Sequence, residues 1–207
     1  MTDGELGRVL NLELAGYEKN SKNLEVSWQP VDKDKFEKAF NLSQGAIESG
    51  DAKKVVPIAY QSGHLARPIS FFEKLSFLKS LLQMPLHLYR YGEWDESTGF
   101  VGATPELFFE LDNLNLKTMA LAGTSSKDID PAKFLNDPKE RKEHQYVIDD
   151  ITQQLTDIAD VSVSETSVVP LPHLNHLETK ITAKLFSARS AEELIQRLHP
   201  TAALGIY

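Results

Sequence analysis

In the stretch KERKEHQYVIDDI, Lys139 to Ile151, a carboxylate heads an apolar row. Glu143, Val147, Ile151 and Leu155 recur every four residues, which aligns them along one face of a helix. Three of the four belong in a core. Burying an unpaired charge is expensive, so Glu143 either lies at an exposed helix end or meets something positive. Glu140, three residues earlier, shares its face at the helix start. Oxygen ligands on that face suit Mg²⁺, which takes few carboxylates and keeps water and substrate oxygens.

Other residues offer chemistry at lower specificity. Lys54, in KKVV, heads an apolar stretch. Desolvation there lowers an amine's pKa and makes it a candidate base, though a surface lysine fits the same letters. Glu106, in FVGATPELFFE, stands at a strand entrance beside a glycine turn, as a site acid or as a solvated one. ALAGTSS reads as a second glycine turn at a strand end. Ala122 and Gly123 are small enough for a ligand to approach the backbone, and the Thr124 hydroxyl can donate; an ordinary loop has the same composition. His144 and His176 lack the His-x-x-x-His spacing of a metal pair. His176, in a polar break before a strand, can bond a substrate carboxylate or satisfy backbone groups.

The bulk composition is that of a globular chain. Its 207 residues, 41% hydrophobic, suffice for a sizeable core. Thirty acidic against 22 basic residues leave a net charge of -8, which argues against a nucleic-acid surface or an anionic membrane as partner. No apolar run approaches the roughly 18 residues of a membrane helix, and the acidic start MTDGELGRVLNLELAGYEKN does not read as a secretion signal. The absence of cysteine removes disulfides and thiolate chemistry and suits a cytoplasmic location.

These side chains need elements to hold them. Phe36, Phe40 and Ile47 predict an amphipathic helix closed by Gly50, and KKVVPIAYQ predicts a strand that Pro57 confines to an edge. SFFEKLSFLKSLLQ predicts a second helix. LHLYRYGEW, ELFFELDN and LNLKTMALA predict three strands, the last two joined as a hairpin. A long helix from about Lys139 to Leu155 follows Pro138, then strand-like DVSVSETSVV and HLETKITAKLF, and a final helix capped by Ser190. No linker or repeat divides the chain, so one domain, or an undivided portion of one, is expected. The apolar ending Ala202–Tyr207 suggests that the sequence continues in a parent protein.

In this order, KVV, GATPE, ALAGT, KERKEHQYVIDDI, HLNHLETKITAKL and LHPTAALG resemble the chorismate-utilising enzymes. These include isochorismate, salicylate, anthranilate and aminodeoxychorismate synthases. The matching pieces run from Lys54 to Gly205, roughly three-quarters of the chain. The resemblance implies an α+β fold with antiparallel sheets packed together and outer helices. Residues 1–207 would form the N-terminal portion of a single chorismate-binding domain whose C-terminal part, with a second metal-binding glutamate, lies beyond Tyr207. It implies Mg²⁺ on Glu143, with Glu140 beside it, holding a carboxylate of chorismate. Lys54 would be the base that activates water for attack at C2, and Glu106 the acid that protonates the departing C4 hydroxyl. Ala122, Gly123, Thr124, His176 and Thr201 would contact substrate. LHPTAA is similar to the isochorismate and salicylate branch, and Ala122 stands where aminodeoxychorismate synthases carry a nucleophilic lysine. An isochorismate synthase without a glutaminase partner is therefore expected for the parent. A salicylate synthase or an ammonia-using component I is the alternative. A catalytically inert, self-associating fragment is the alternative of another class.

Overall fold

The computed structural model describes residues 25–82, 88–95 and 98–205. In chain order these form β1 (Val26–Trp28), α1 (Lys33–Glu48), β2 (Gly63–Leu65), α2 (Phe71–Leu82), β3 (Tyr89–Trp94) and β4 (Gly99–Thr104). There follow β5 (Glu110–Asp112), β6 (Asn115–Ser126), α3 (Pro131–Leu135), α4 (Pro138–Leu155), β7 (Ala159–Val163), β8 (Ser167–Pro170), β9 (Leu174–Leu185) and α5 (Ala191–Leu198). The class is α+β and every strand pair is antiparallel. None of the described helices is long and apolar enough to cross a membrane.

Two compact units divide the chain: the described residues within Met1–Asp32 and Ala59–Pro105, and those within Lys33–Ile58 and Glu106–Tyr207. The first holds two small sheets, β1–β2 and β3–β4. Gly102, the glycine of the expected turn before Glu106, lies inside β4, paired with Tyr91. The start of α2 is pinned by Glu73. Its carboxylate accepts two bonds from Arg67 at 2.7 and 2.6 Å and one from the Ser70 amide at 2.7 Å. The guanidinium, and then the backbone bond, hold that carboxyl down at about 2.

The second unit carries the large core. Its five-stranded sheet runs β5-β6-β9-β7, with β8 also paired to β9. Along β9, Asn175, Leu177, Thr179, Ile181, Ala183 and Leu185 are buried while the alternate residues are not, the period of a strand with one packed face. Helix α4 lies on that face. Asp137 caps it by accepting from the Glu140 amide at 3.0 Å, and Pro138 takes the first turn, where a missing N–H goes unfelt. Val147, Ile151 and Leu155, the predicted row, are at most 1% exposed and join Leu116, Ala120, Ile181 and Leu185 in one cluster. Ser190 and Glu193 close a reciprocal capping box on α5, as the sequence predicts.

Three expectations are corrected. KKVVPIAYQ, residues 53–61, forms no strand: Pro57 has no N–H to give a ladder, and no neighbouring strand pairs with it among the described residues. ELFFELDN pairs only over Glu110–Asp112, since the Thr118 hydroxyl donates to the Phe108 carbonyl at 2.6 Å and occupies that acceptor. Helix α1 forms and ends at Gly50, whose φ of +82° suits a C-terminal cap. Its apolar side is nevertheless not buried: Phe36, Phe40 and Ile47 are 38, 42 and 42% exposed.

His144 enters the core beside this row, 1% exposed, with Nε2 2.8 Å from the Thr179 hydroxyl, itself 2.9 Å from that of Thr166. Burial pushes its pKa down to about 4. As pH falls from about 6.5, the unfolded chain takes up a proton that the folded chain refuses until about 4. Stability is therefore full above pH 6.5 and declines below it, by on the order of 3 kcal/mol from this group. Urea titrations from pH 7.5 to 4 should show that limb in the native chain and a flatter one in His144→Gln; parallel limbs would refute the assignment.

Candidate active site

The first turns of α4 answer the question that Glu143 raises. Its side chain is 35% exposed, so the row surfaces at its head, and two ammonium groups stand beside it. Lys54 Nζ lies 4.0 Å from Oε1 and Lys139 Nζ 3.6 Å from Oε2. Lys139 also meets Glu140 at 2.6 Å, linking the two carboxylates of the helix start. The irregular segment after α1 thus still delivers Lys54 to the helix, with its side chain only 10% exposed.

The HPTAALG segment comes to the same place. The Lys54 ammonium donates to the Ala202 carbonyl and, at 3.4 Å, to that of Ala203. Thr201 is buried, and its carbonyl accepts from Leu204 and Gly205 at 3.0 and 2.9 Å, closing the turn. Asp150, two turns after Glu143 on α4, accepts from the Ala202 amide at 2.6 Å. Sequence reasoning missed Asp150, Lys139 and these carbonyls. For Asp150 the signal was its spacing of seven from Glu143, which puts it on the same helix face.

Gly123 is not a turn at a strand end. It is a bulge inside β6: Ala122 pairs with Leu177, Thr124 pairs with His176, and Gly123 between them has a φ of +78°. The extra residue turns Thr124 to the sheet face opposite the core. A Cβ on Gly123 would come within 3.3 Å of Glu140 Oε2. That oxygen accepts from the Thr124 amide at 2.9 Å, so the helix start fixes the bulge. His176 is likewise within β9 and not in a break before it. Its Nδ1 lies 2.9 Å from the Gly123 carbonyl and 3.1 Å from Thr124 Oγ1. A carbonyl only accepts, so Nδ1 carries a proton and donates it to Gly123. Ala122, by contrast, is buried in the core cluster, its methyl away from this group.

Glu106 completes the set at the entrance to the second unit. Burial raises its pKa, and the nearby Lys54 charge opposes the rise. Burial lowers the pKa of Lys54, against the opposing pull of Glu143 and then Glu106. Both groups move toward their neutral forms. A cavity of about 670 Å³ opens beside Lys54, walled by Ile47, Val55, Pro57 and Tyr146 and edged by Lys139, Lys142 and Glu143; Glu106 does not line it. Among the described residues no group of three or more His, Cys, Asp or Glu side chains is arranged to hold a metal. Glu143, half-exposed and flanked by the exposed Lys139 and, at 4.0 Å, by Lys54, fits as a ligand to a hard divalent cation. Glu140 fits less well, with one oxygen on the Thr124 amide and the other on Lys139.

Two variants probe this arrangement. Gly123→Ala should cost about 1–2 kcal/mol in urea unfolding, because alanine is strained at this positive φ; an unchanged midpoint would disprove the strained bulge. Glu106→Gln should raise the thermal midpoint at pH 7. The wild-type fold there carries an acid whose pKa lies above its ordinary 4.5, a handicap that fades as pH drops below 4.5 and both states hold the proton. A midpoint lowered at pH 7, or a gain that persists at pH 4, would contradict the burial.

A family model described as chorismate binding enzyme matches residues 7–206. Isochorismate synthase MenF of Haemophilus influenzae is 32% identical over 169 residues, 77% of this chain and 38% of that protein. The Pasteurella multocida protein of the same name is 32% identical over 167 residues, again 77% of this chain and 38% of its own. The solved structure of MenF, the menaquinone-specific isochorismate synthase from Escherichia coli, superposes with a TM-score of 0.77 at 24% identity. It covers 89% of this chain and 45% of that one, and at this identity the likeness speaks for the fold. The chain thus spans about two-fifths of the length of the curated relatives it matches.

Proposed function

The chain belongs to the chorismate-binding enzyme family, and from that premise we propose that it carries the base and acid of an isochorismate synthase site. The substrate is chorismate. The observation that supports this reading best is that Lys54 and Glu106, both part-buried and each feeling the other's charge, have pKa values displaced in opposite directions. An exchange that adds water at C2 and expels the C4 hydroxyl needs a neutral amine and a neutral carboxylic acid at once. Lys54 takes a proton from the attacking water. Glu106 gives its proton to the C4 hydroxyl, which leaves as water, and proton return from the ammonium to the carboxylate restores both groups.

The remaining residues bind and orient. Thr124 and His176, fixed to each other across β6 and β9, offer a hydroxyl and an imidazole to the substrate, with Gly123 letting it approach the backbone. Thr201, next to the Ala202 carbonyl that Lys54 meets, would contact the substrate. Glu143, with Glu140 behind it, would hold Mg²⁺, which when bound supplies positive charge for a chorismate carboxylate. The lysines around Glu143 also favour a dianion at this edge of an acidic chain. The cysteine-free composition supports a cytoplasmic setting.

Incubation of the chain with chorismate and Mg²⁺, followed by chromatography, tests the reading directly. Isochorismate should form. Lys54→Ala should lower kcat by about 10²–10⁴-fold with little change in chorismate affinity. Undiminished turnover in that variant would remove Lys54 as the base, and salicylate or anthranilate as product would move the chain to another branch. A second reading follows from its length, two-fifths of its relatives': a folded but inert portion, for which the wild-type chain forms no product.

A further inference from the structure

The geometry points to Asp150 as the positioning residue for the Lys54 amine, acting through the Ala202 peptide groups; this rests on Lys54 being the base. The side chains do not touch. The Asp150 carboxylate accepts the Ala202 N–H at 2.6 Å, and the carbonyl of the same residue accepts from Lys54 Nζ, with the Ala203 carbonyl a second acceptor at 3.4 Å. One residue of backbone thus joins an acid on α4 to an amine reached through a chain separation of 148 residues.

The consequence for the amine is directional. A neutral amine has two N–H bonds and one lone pair in tetrahedral arrangement. Two carbonyls on one segment take the two hydrogens, which leaves the lone pair a single direction in which to meet a proton. Free rotation of a lysine terminus would otherwise spread that lone pair over many orientations. The carbonyls can hold the amine only if their own segment is held. Ala202 is 1% exposed, and the Thr201 carbonyl closes the turn on its far side. Asp150 is the side chain that ties the segment to α4. Because Glu143 stands on the same face of that helix, α4 sets base and carboxylate from one rigid rod.

Lys54 reactivity and turnover in Asp150 variants, compared with the native chain, test the inference separately. In trace labelling with acetic anhydride, read by peptide mass spectrometry, Lys54 should react several-fold faster in Asp150→Ala. Exposed Lys117 and Lys180 should be unchanged, serving as internal references. Asp150→Asn keeps an oxygen that accepts the Ala202 N–H and should leave Lys54 labelling within about twofold of native. If Asp150→Ala does not fold, Asp150→Ser, polar but too short to span the contact, takes its place. In turnover, the Ala or Ser variant should lose about tenfold or more in kcat with KM nearly unchanged, and Asn should restore most of it. Lys54 labelling that does not change in a folded Ala or Ser variant overturns the inference. So does a loss confined to KM, or failure of Asn to rescue. A native chain without turnover would sink the catalytic reading while the labelling comparison still decides whether Asp150 holds Lys54.

Discussion

Helix α4 is asked to do two incompatible things with one row of side chains, and the site is how the conflict is resolved. Val147, Ile151 and Leu155 need a dry sheet beneath them, and Glu143 at the head of the row needs charge or water. The helix start satisfies both by surfacing just where the row turns acidic. There Lys54 and Lys139 flank the carboxylate, and Glu140 turns away to bind the Thr124 amide. Moving the helix by one turn would bury Glu143 or strip the core. Packing therefore sets the position of the charged groups, to within a fraction of a turn.

The same logic explains why β6 breaks where it does. A regular strand would have pointed position 124 into the core with Ala120 and Ala122. The inserted Gly123 reverses the alternation, so Thr124 and His176 face out together while Ala122 stays inside. The bulge needs a donor for its carbonyl and an acceptor for the following amide. His176 provides the first and Glu140 the second. The side chains of His176 and Glu140 thereby make the backbone irregularity tolerable.

The parts of this structure legible in the sequence are those that local rules determine. The row of α4, its Asp-Pro start, the Ser190 capping box and the alternation of β9 each show as a period or a cap within a few residues. Lys54, Glu106 and Glu143 could be picked out only because several motifs recur in one order, and the geometry then brings Lys54 near both acids. What could not be read depends on partners distant in sequence. AGT looks alike as turn or bulge until β9 is paired beside it. KKVVPIAYQ has strand composition, but composition does not supply a neighbour with a free ladder. The apolar side of α1 is periodic yet exposed, because periodicity says which residues share a face and not what covers it.

Placing an amine between two carboxylates normally drives it fully to ammonium, the wrong state for a base. Burial pulls the other way, and at Lys54 it is the larger influence, while Glu106 is raised by the same desolvation. The balance works only because the attractions are incomplete: Glu143 is 4.0 Å away, shared with Lys139 and partly in solvent. A tighter Lys54–Glu143 ion pair would stabilise the fold and lock the proton on nitrogen. The loose geometry at the head of α4 thus leaves burial the larger influence on both groups, and each is shifted toward its neutral form.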